Sequence, residues 1–250
     1  MPDIEWNKNT WDGWYDWKQS GDEWSAPWGS SPAMWFTSIM PRIAFVLPAK
    51  SVLEIAPGHG RCTSFLLRFA DSYHGIDLSE RCIRYCEERF AAQSRAKFHR
   101  NDGHTLTALA DGDFDLVFSF DSLVHADLDV IVTYVPQIIK KLRKGGVAFI
   151  HHSNLAEFPG VEWQHRSTEV SAEKVEALIE SHGGRTLIQE VFGGDGKVVI
   201  PDCFSLFCRR DDYLGFDPIK LRTPNLFTIE GAIGRGQFQP YMALDAARRG

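Results

Sequence analysis

No stretch of this sequence approaches the roughly 20 consecutive apolar residues that a bilayer-spanning helix needs. The N-terminus, crowded with Trp and Asp, has neither the basic nor the apolar region of a secretory signal. A soluble, cytoplasmic protein without a membrane span is expected. Blocks of Lys and Arg are missing as well, and the net charge is −6. Without clustered cations to displace counterions from a phosphate backbone, nucleic acid is not an expected partner. A small-molecule or saccharide substrate fits better, and a homo-oligomer is left open.

Cysteine is sparse. Cys62, Cys82, Cys86, Cys203 and Cys208 are odd in number and scattered, unlike a disulfide framework. Cys82 and Cys86 would share a helix face, but no second pair stands near to complete a zinc site, so they are read as packing residues.

What is present is a chain of 250 residues, 44% apolar, long enough for one large domain with terminal additions. From about residue 50, apolar runs of strand length alternate with helix-period stretches, which predicts strands joined by crossover helices. The strands are expected at 51–56, 72–77, 96–99, 114–120 and 147–151, then at 185–192 and 198–208. Helices are expected over 62–70, after a Ser79 cap, over 130–142 with Gly145-Gly146 as its stop, and from a Ser171 cap to about His182. The short connection Gly193-Gly194-Asp195-Gly196 implies a hairpin that makes the last strand antiparallel. The fold class is therefore α/β, a doubly wound, mostly parallel seven-stranded sheet over residues 46–210.

Residues 1–45 differ, with seven tryptophans between Trp6 and Trp35. They supply either the core of a small helical cap or a cover for an active site. Residues 211–250, rich in Gly and Pro, are expected to be an irregular tail.

The strongest chemical signal is Val52-Leu-Glu-Ile-Ala-Pro-Gly-His-Gly-Arg61, a strand that runs into a glycine-containing turn and opens a helix. Gly58 and Gly60 let the backbone approach a ligand closely. Asp77 ends the next strand, beside that turn, where a carboxylate can accept both ribose hydroxyls of a nucleoside. A pyrophosphate-binding pattern counted from Gly58 would put Thr63 at its last small position, which weakens a nicotinamide reading. Glu54 would repel a pyrophosphate yet suit a cationic sulfonium ligand or its amino group.

These residues resemble the class I S-adenosylmethionine-dependent methyltransferases over about residues 50–210. Glu54, Ala56, Gly58 and Gly60 match the first motif, with Ala56 in place of the usual first glycine, and Asp77 matches the ribose-binding acid. Asn101-Asp102-Gly103 resembles the adenine-edge segment, Phe114 to Asp121 the fourth-strand motif beside the methyl group, and Leu142 to Gly146 the turn before strand five. The resemblance implies S-adenosylmethionine as cofactor, held by Glu54, Ala56, Gly58, Gly60, Asp77, Leu78, Asp102, Gly103 and Phe120. Arg42 is added as a partner for the cofactor carboxylate.

A narrower resemblance is to methyltransferases of polysaccharide and sugar modification. It rests on Asp22-Glu-Trp-Ser25 with Trp28-Gly29, Pro41-Arg-Ile43, Ile55-Ala-Pro-Gly58, Asp121-Ser-Leu-Val-His125, Phe149-Ile-His-His-Ser-Asn154, His165-Arg-Ser-Thr168 and Asp202-Cys-Phe-Ser205. It implies O-methylation of a sugar or related polar molecule. Transfer to a hydroxyl needs a proton acceptor or a metal. His125, just beyond strand four, is favoured as base because a histidine near its usual pKa suits neutral pH. Asp121 and His151 complete the catalytic set. A metal site of Asp121, His152 and Asp202 holding Mg²⁺ is the alternative, although Asp121 could instead serve the cofactor amino group and Asp202 could instead pair with Arg166. Methylation of nitrogen or of a natural product, and a non-catalytic cofactor-binding regulator, are the rival functions.

Overall fold

Side chains alternate between two faces along the central strands. The computed structural model, which describes residues 3–193, 200–223 and 226–249, assembles these strands into one eight-stranded sheet. Its strands are β1 (Ala49–Ile55), β2 (Ala70–Asp77), β3 (Ala96–Arg100), β4 (Phe114–Ser119), β5 (Leu142–Ser153), β6 (Gly184–Val191), β7 (Asp202–Arg209) and β8 (Ile219–Arg222). They lie in the order β3-β2-β1-β4-β5-β7-β6-β8, and β7 alone runs antiparallel to its neighbours β5 and β6. This is the doubly wound, mostly parallel arrangement expected, with one strand more. The turn Gly194-Asp195-Gly196 and Val198-Val199 lie outside the described residues.

Val52, Leu116, Phe118 and Phe149 face one core; Leu53, Val117, Ala148 and Ile150 face the other. The second core is closed by α6 (Leu128–Lys141) and α7 (Ala172–Ser181), whose N-terminus is capped by Ser171 through the Lys174 N–H. The first is closed by α4 (Thr63–Leu66) and by Trp28, Trp35 and Ile39 of the N-terminal segment, whose short helices include α1 (Ile4–Asn9), α2 (Ser31–Met34) and α3 (Met40–Ile43). On the edge of the sheet, α5 (Glu80–Arg89) packs on β2 and β3, capped by Ser79.

Two expectations need correction. Gly145-Gly146 does not stop α6, because the chain has already entered β5 at Leu142. Gly145 stands at φ +77°, and a Cβ on Gly146 would come within 2.5 Å of the Phe114 carbonyl. The pair therefore serves a register shift against β4, where the two backbones touch. Nor is the tail irregular: it adds β8 and a 24-residue helix, α8 (Leu226–Arg249). Its glycines read as helix breakers, but Gly231 and Gly234 lie against Pro27 and against Thr37 and Trp28. They let α8 approach the N-terminal segment closely, and Arg235 donates to the Ala26 and Pro27 carbonyls.

Candidate active site

A crevice forms where strand order reverses, at the carboxyl ends of β1 and β4, as doubly wound sheets require. Its floor is the turn after β1. Ala56, Gly58 and Gly60 all adopt positive φ, at +56°, +58° and +82°. Gly60 has no alternative, since a Cβ there would come within 2.5 Å of the Phe90 ring. Ala56 holds a left-handed conformation that disfavours an L-residue by about 1–2 kcal/mol, and such strain gathers at functional sites.

Asp77 is buried at the end of β2, where its two oxygens accept the Gly58 N–H at 3.1 Å and the Ser79 N–H at 2.9 Å. It thereby ties the turn to the start of α5, and burial pushes its carboxyl up to about 6. Glu54 lies beneath the turn and accepts the hydroxyls of Thr63 at 2.6 Å and Tyr73 at 2.5 Å. Burial pushes it up to about 7. Thr63, which broke the dinucleotide pattern, is one of the two residues that hold this acid.

The same cavity is lined by Leu78, Gly103, Phe120, Asp121 and His125. Asp102 is not part of its wall. Its carboxylate is turned outward and accepts the N–H groups of His104 and Thr105, an Asx turn that presents Gly103 inward.

Arg42 is also elsewhere. It is clamped between Glu190 at 2.6 Å and Glu230 at 2.9 Å, an ion cluster that joins the N-terminal segment, β6 and α8. The cation that does line the cavity is Arg61, buried and paired with Asp121 at 2.9 Å. Sequence reasoning passed over it, although its place directly after Gly60 was the available signal.

Asp121 itself stands at φ +59°. Its N–H donates to Nδ1 of His151 at 3.2 Å, so His151 carries its proton on Nε2, which lies 3.3 Å from Asp202. His151 is 2% exposed and packed among Phe120, Phe192 and Phe204, so it supports the site from behind and does not line it.

The metal constellation does not assemble. Neighbouring residues on a strand face opposite sides, and His152 points away from His151 to meet Ser205 at 2.9 Å. Asp202 is gripped by Arg166 at 2.8 and 3.0 Å. Although burial alone would raise its pKa, His151 and Arg166 hold it below the usual carboxylate range. Asp121 is engaged by Arg61. Among the described residues no group of three or more His, Cys, Asp or Glu side chains could hold a metal ion.

His125 does reach the cavity. Its Nδ1 lies 2.9 Å from the His165 carbonyl, which can only accept. The proton therefore sits on Nδ1, and Nε2 keeps its lone pair. Burial, and then the Arg166 charge, pull its pKa down to about 4, so the ring is neutral at pH 7. The expectation of an ordinary histidine pKa is corrected accordingly.

The remaining wall is aromatic and comes from the N-terminal segment, where Trp11, Trp17 and Trp24 line the cavity. Trp17 stacks on His59 at 4.0 Å, and His59 on Tyr85 at 3.9 Å, which fastens the segment to the turn. Asp12 adds a polar tie by accepting the Ser79 hydroxyl at 2.6 Å. The tryptophans thus divide: Trp28 and Trp35 fill the core, while Trp11, Trp17 and Trp24 cover the crevice.

Residues 52–146 match the family model of a methyltransferase domain. No curated protein is similar enough in sequence to match the chain. An S-adenosylmethionine-dependent methyltransferase from Clostridium acetobutylicum shares 16% identity at a TM-score of 0.56, with 73% of this chain and 91% of that one covered. A protein from Pyrococcus horikoshii shares 20% identity at 0.54, covering 70% and 88%. A TehB-like S-adenosylmethionine-dependent methyltransferase from Corynebacterium glutamicum shares 18% at 0.51, covering 72% and 87%. At these identities the likeness establishes the fold, a Rossmann-like methyltransferase fold. No helix among the described residues is long and apolar enough to cross a membrane.

Proposed function

We propose that the protein transfers a methyl group from S-adenosylmethionine to a hydroxyl of a sugar, oligosaccharide or related polar small molecule. The observation that carries this is one cavity, walled by Asp77, Glu54 and the Gly58–Gly60 turn, that is also lined by His125, a ring whose Nδ1 is occupied by the His165 carbonyl. When bound, S-adenosylmethionine supplies a methyl group activated by its positively charged sulfur. Asp77, already fixed by two backbone N–H groups, retains lone pairs for the ribose hydroxyls. Arg61 offers a guanidinium for the methionine carboxylate and is kept charged by Asp121. Glu54 supplies negative potential under the turn when it is ionised.

His125 accepts the acceptor's hydroxyl proton at Nε2. A ring whose pKa is about 4 is a weak base towards a resting alcohol. The alcohol oxygen would become strongly acidic as its bond to the methyl group forms and the methyl–sulfur bond breaks, so its proton would pass to Nε2 after bond formation and then leave to solvent. The Trp11, Trp17 and Trp24 wall keeps water from competing with the acceptor.

The low basicity of His125 favours one second reading, methylation of an amine that arrives neutral and needs no base. Radiolabelled methyl transfer to matched alcohol and amine panels, with wild type and His125→Ala, separates the two. O-methylation predicts that kcat falls by about 10²-fold, the lower end for general base loss, while cofactor affinity holds. Amine transfer unaffected by the substitution would overturn the oxygen reading, and no turnover on any acceptor would point to a binding protein.

A further inference from the structure

The segment after β5 forms a second recess, outside the cofactor cavity, lined by Trp6, Val161, Glu162, Trp163, His165 and Arg166. The two adjoin at the His125–His165 pair, since His125 lines the cavity, His165 lines the recess, and their rings lie 6.4 Å apart. The pair is held under strain. His165 stands at φ +60°, stacks on Trp6 at 4.8 Å, and gives its carbonyl to His125. A non-glycine residue in that conformation marks a position that the surrounding structure holds in place.

A buried polar chain also connects the two spaces. From the recess, Arg166 reaches inward to Asp202, which is 1% exposed; Asp202 lies beside His151, and His151 receives the Asp121 N–H at the cavity wall.

The chemistry of the recess narrows its ligand. The faces of Trp6 and His165 are turned on each other, so they form no cage around a cation, and Arg166 would oppose one. A second aromatic residue, Trp163, is 38% exposed, and Glu162 and Arg166 line the same recess, with Nε and Nη2 of Arg166 committed to Asp202. An exposed indole that shares its recess with a strong acceptor and a partly committed donor suits a ring that carries C–H groups on its face and hydroxyls at its rim.

We infer that this recess is the acceptor subsite, and that it binds a pyranose ring next to the one presented to His125. This rests on the methyl-transfer reading above and deepens it: the acceptor is longer than a monosaccharide. The segment His165-Arg-Ser-Thr168, singled out in the sequence but unused by the cofactor site, then acquires a role.

The test is saturation-transfer NMR on the full chain with cellobiose, maltose, lactose and their methyl glycosides, alongside titration with S-adenosylhomocysteine. Saturation should reach the sugar C–H protons of at least one disaccharide. Trp163→Ala should weaken that binding about tenfold, and Glu162→Gln should weaken it less. S-adenosylhomocysteine should bind both variants as it binds wild type. Trp163 is surface-exposed, so retained cofactor binding also verifies folding of its variant. Absence of sugar contact in wild type, or contact undiminished in Trp163→Ala, would overturn the subsite. Failure of wild type to bind S-adenosylhomocysteine would instead overturn the methyl-transfer reading, and the two failures are read on different ligands.

Discussion

The two sides of the crevice are built by different rules. The side formed by β1, β2 and the turn between β1 and α4 is local: Glu54, Gly58, Gly60, Thr63 and Asp77 fall within 24 consecutive positions. The opposite side joins residues far apart in the chain, as when the Asn7 side chain donates to the His125 carbonyl and His125 holds His165. A local site leaves a spacing pattern in sequence. A site built from tertiary contacts leaves only its residue types, and these serve equally well as packing. On the proposed function, the difference separates a half constrained by a nucleoside cofactor from an acceptor half free to vary.

The largest effect is expected at Asp77. Asp77→Asn removes the charge that would hold two ribose hydroxyls, and at roughly 1.5–3 kcal/mol for each charge-assisted bond it should weaken S-adenosylhomocysteine binding by about 100-fold or more. An unchanged Kd would mean that the local half does not bind the cofactor.

Next in size is a contrast between two arginines. Arg61→Met should weaken the same titration about tenfold by removing one charged partner. Arg42→Met should leave the titration unaltered but destabilise the fold by about 3–5 kcal/mol in denaturant, because Glu190 and Glu230 are left nearly buried without their cation. If Arg42→Met weakened binding while Arg61→Met did not, the cofactor site would have been drawn on the wrong side.

A smaller effect is expected with pH. Burial pushes the Asp77 carboxyl up to about 6, and on the proposed function its ionised form is the one that would accept the ribose protons. Below pH 6 binding must expel a proton, so affinity should fall by up to about tenfold per unit as pH drops, and rise to a plateau above pH 6. In Asp77→Asn this inflection should vanish. The smallest effect concerns metal: with no cluster of ligands among the described residues, chelation should change cofactor affinity and turnover less than twofold. Inactivation by chelator, reversed by Mg²⁺, would contradict the geometry found for His152 and Asp202.

How much was legible in sequence follows the same divide. Strand periodicity exposed the parallel sheet, because burial on both faces demands apolar runs, and the short connection Gly193-Gly194-Asp195-Gly196 exposed the reversal at β7. The closeness of Asp77 to the Gly58–Gly60 turn was legible because neighbouring parallel strands end side by side at a fixed spacing. Arg42 was misplaced, and Arg61 missed, because a cation's partner is set by tertiary contact: two glutamates near the other end of the chain claimed the first. His151 and His152 were adjacent letters, yet the pleat sends them to opposite faces, and one residue type gave no sign of which. The tail was misread because Gly231 and Gly234 signal helix breaking locally but close helix packing once Thr37 and Pro27 stand against them.

The most direct test is calorimetric titration of the purified wild-type chain with S-adenosylmethionine and S-adenosylhomocysteine. Saturable one-site binding of both is predicted, and absence of binding by either would contradict the assignment of this crevice to the cofactor.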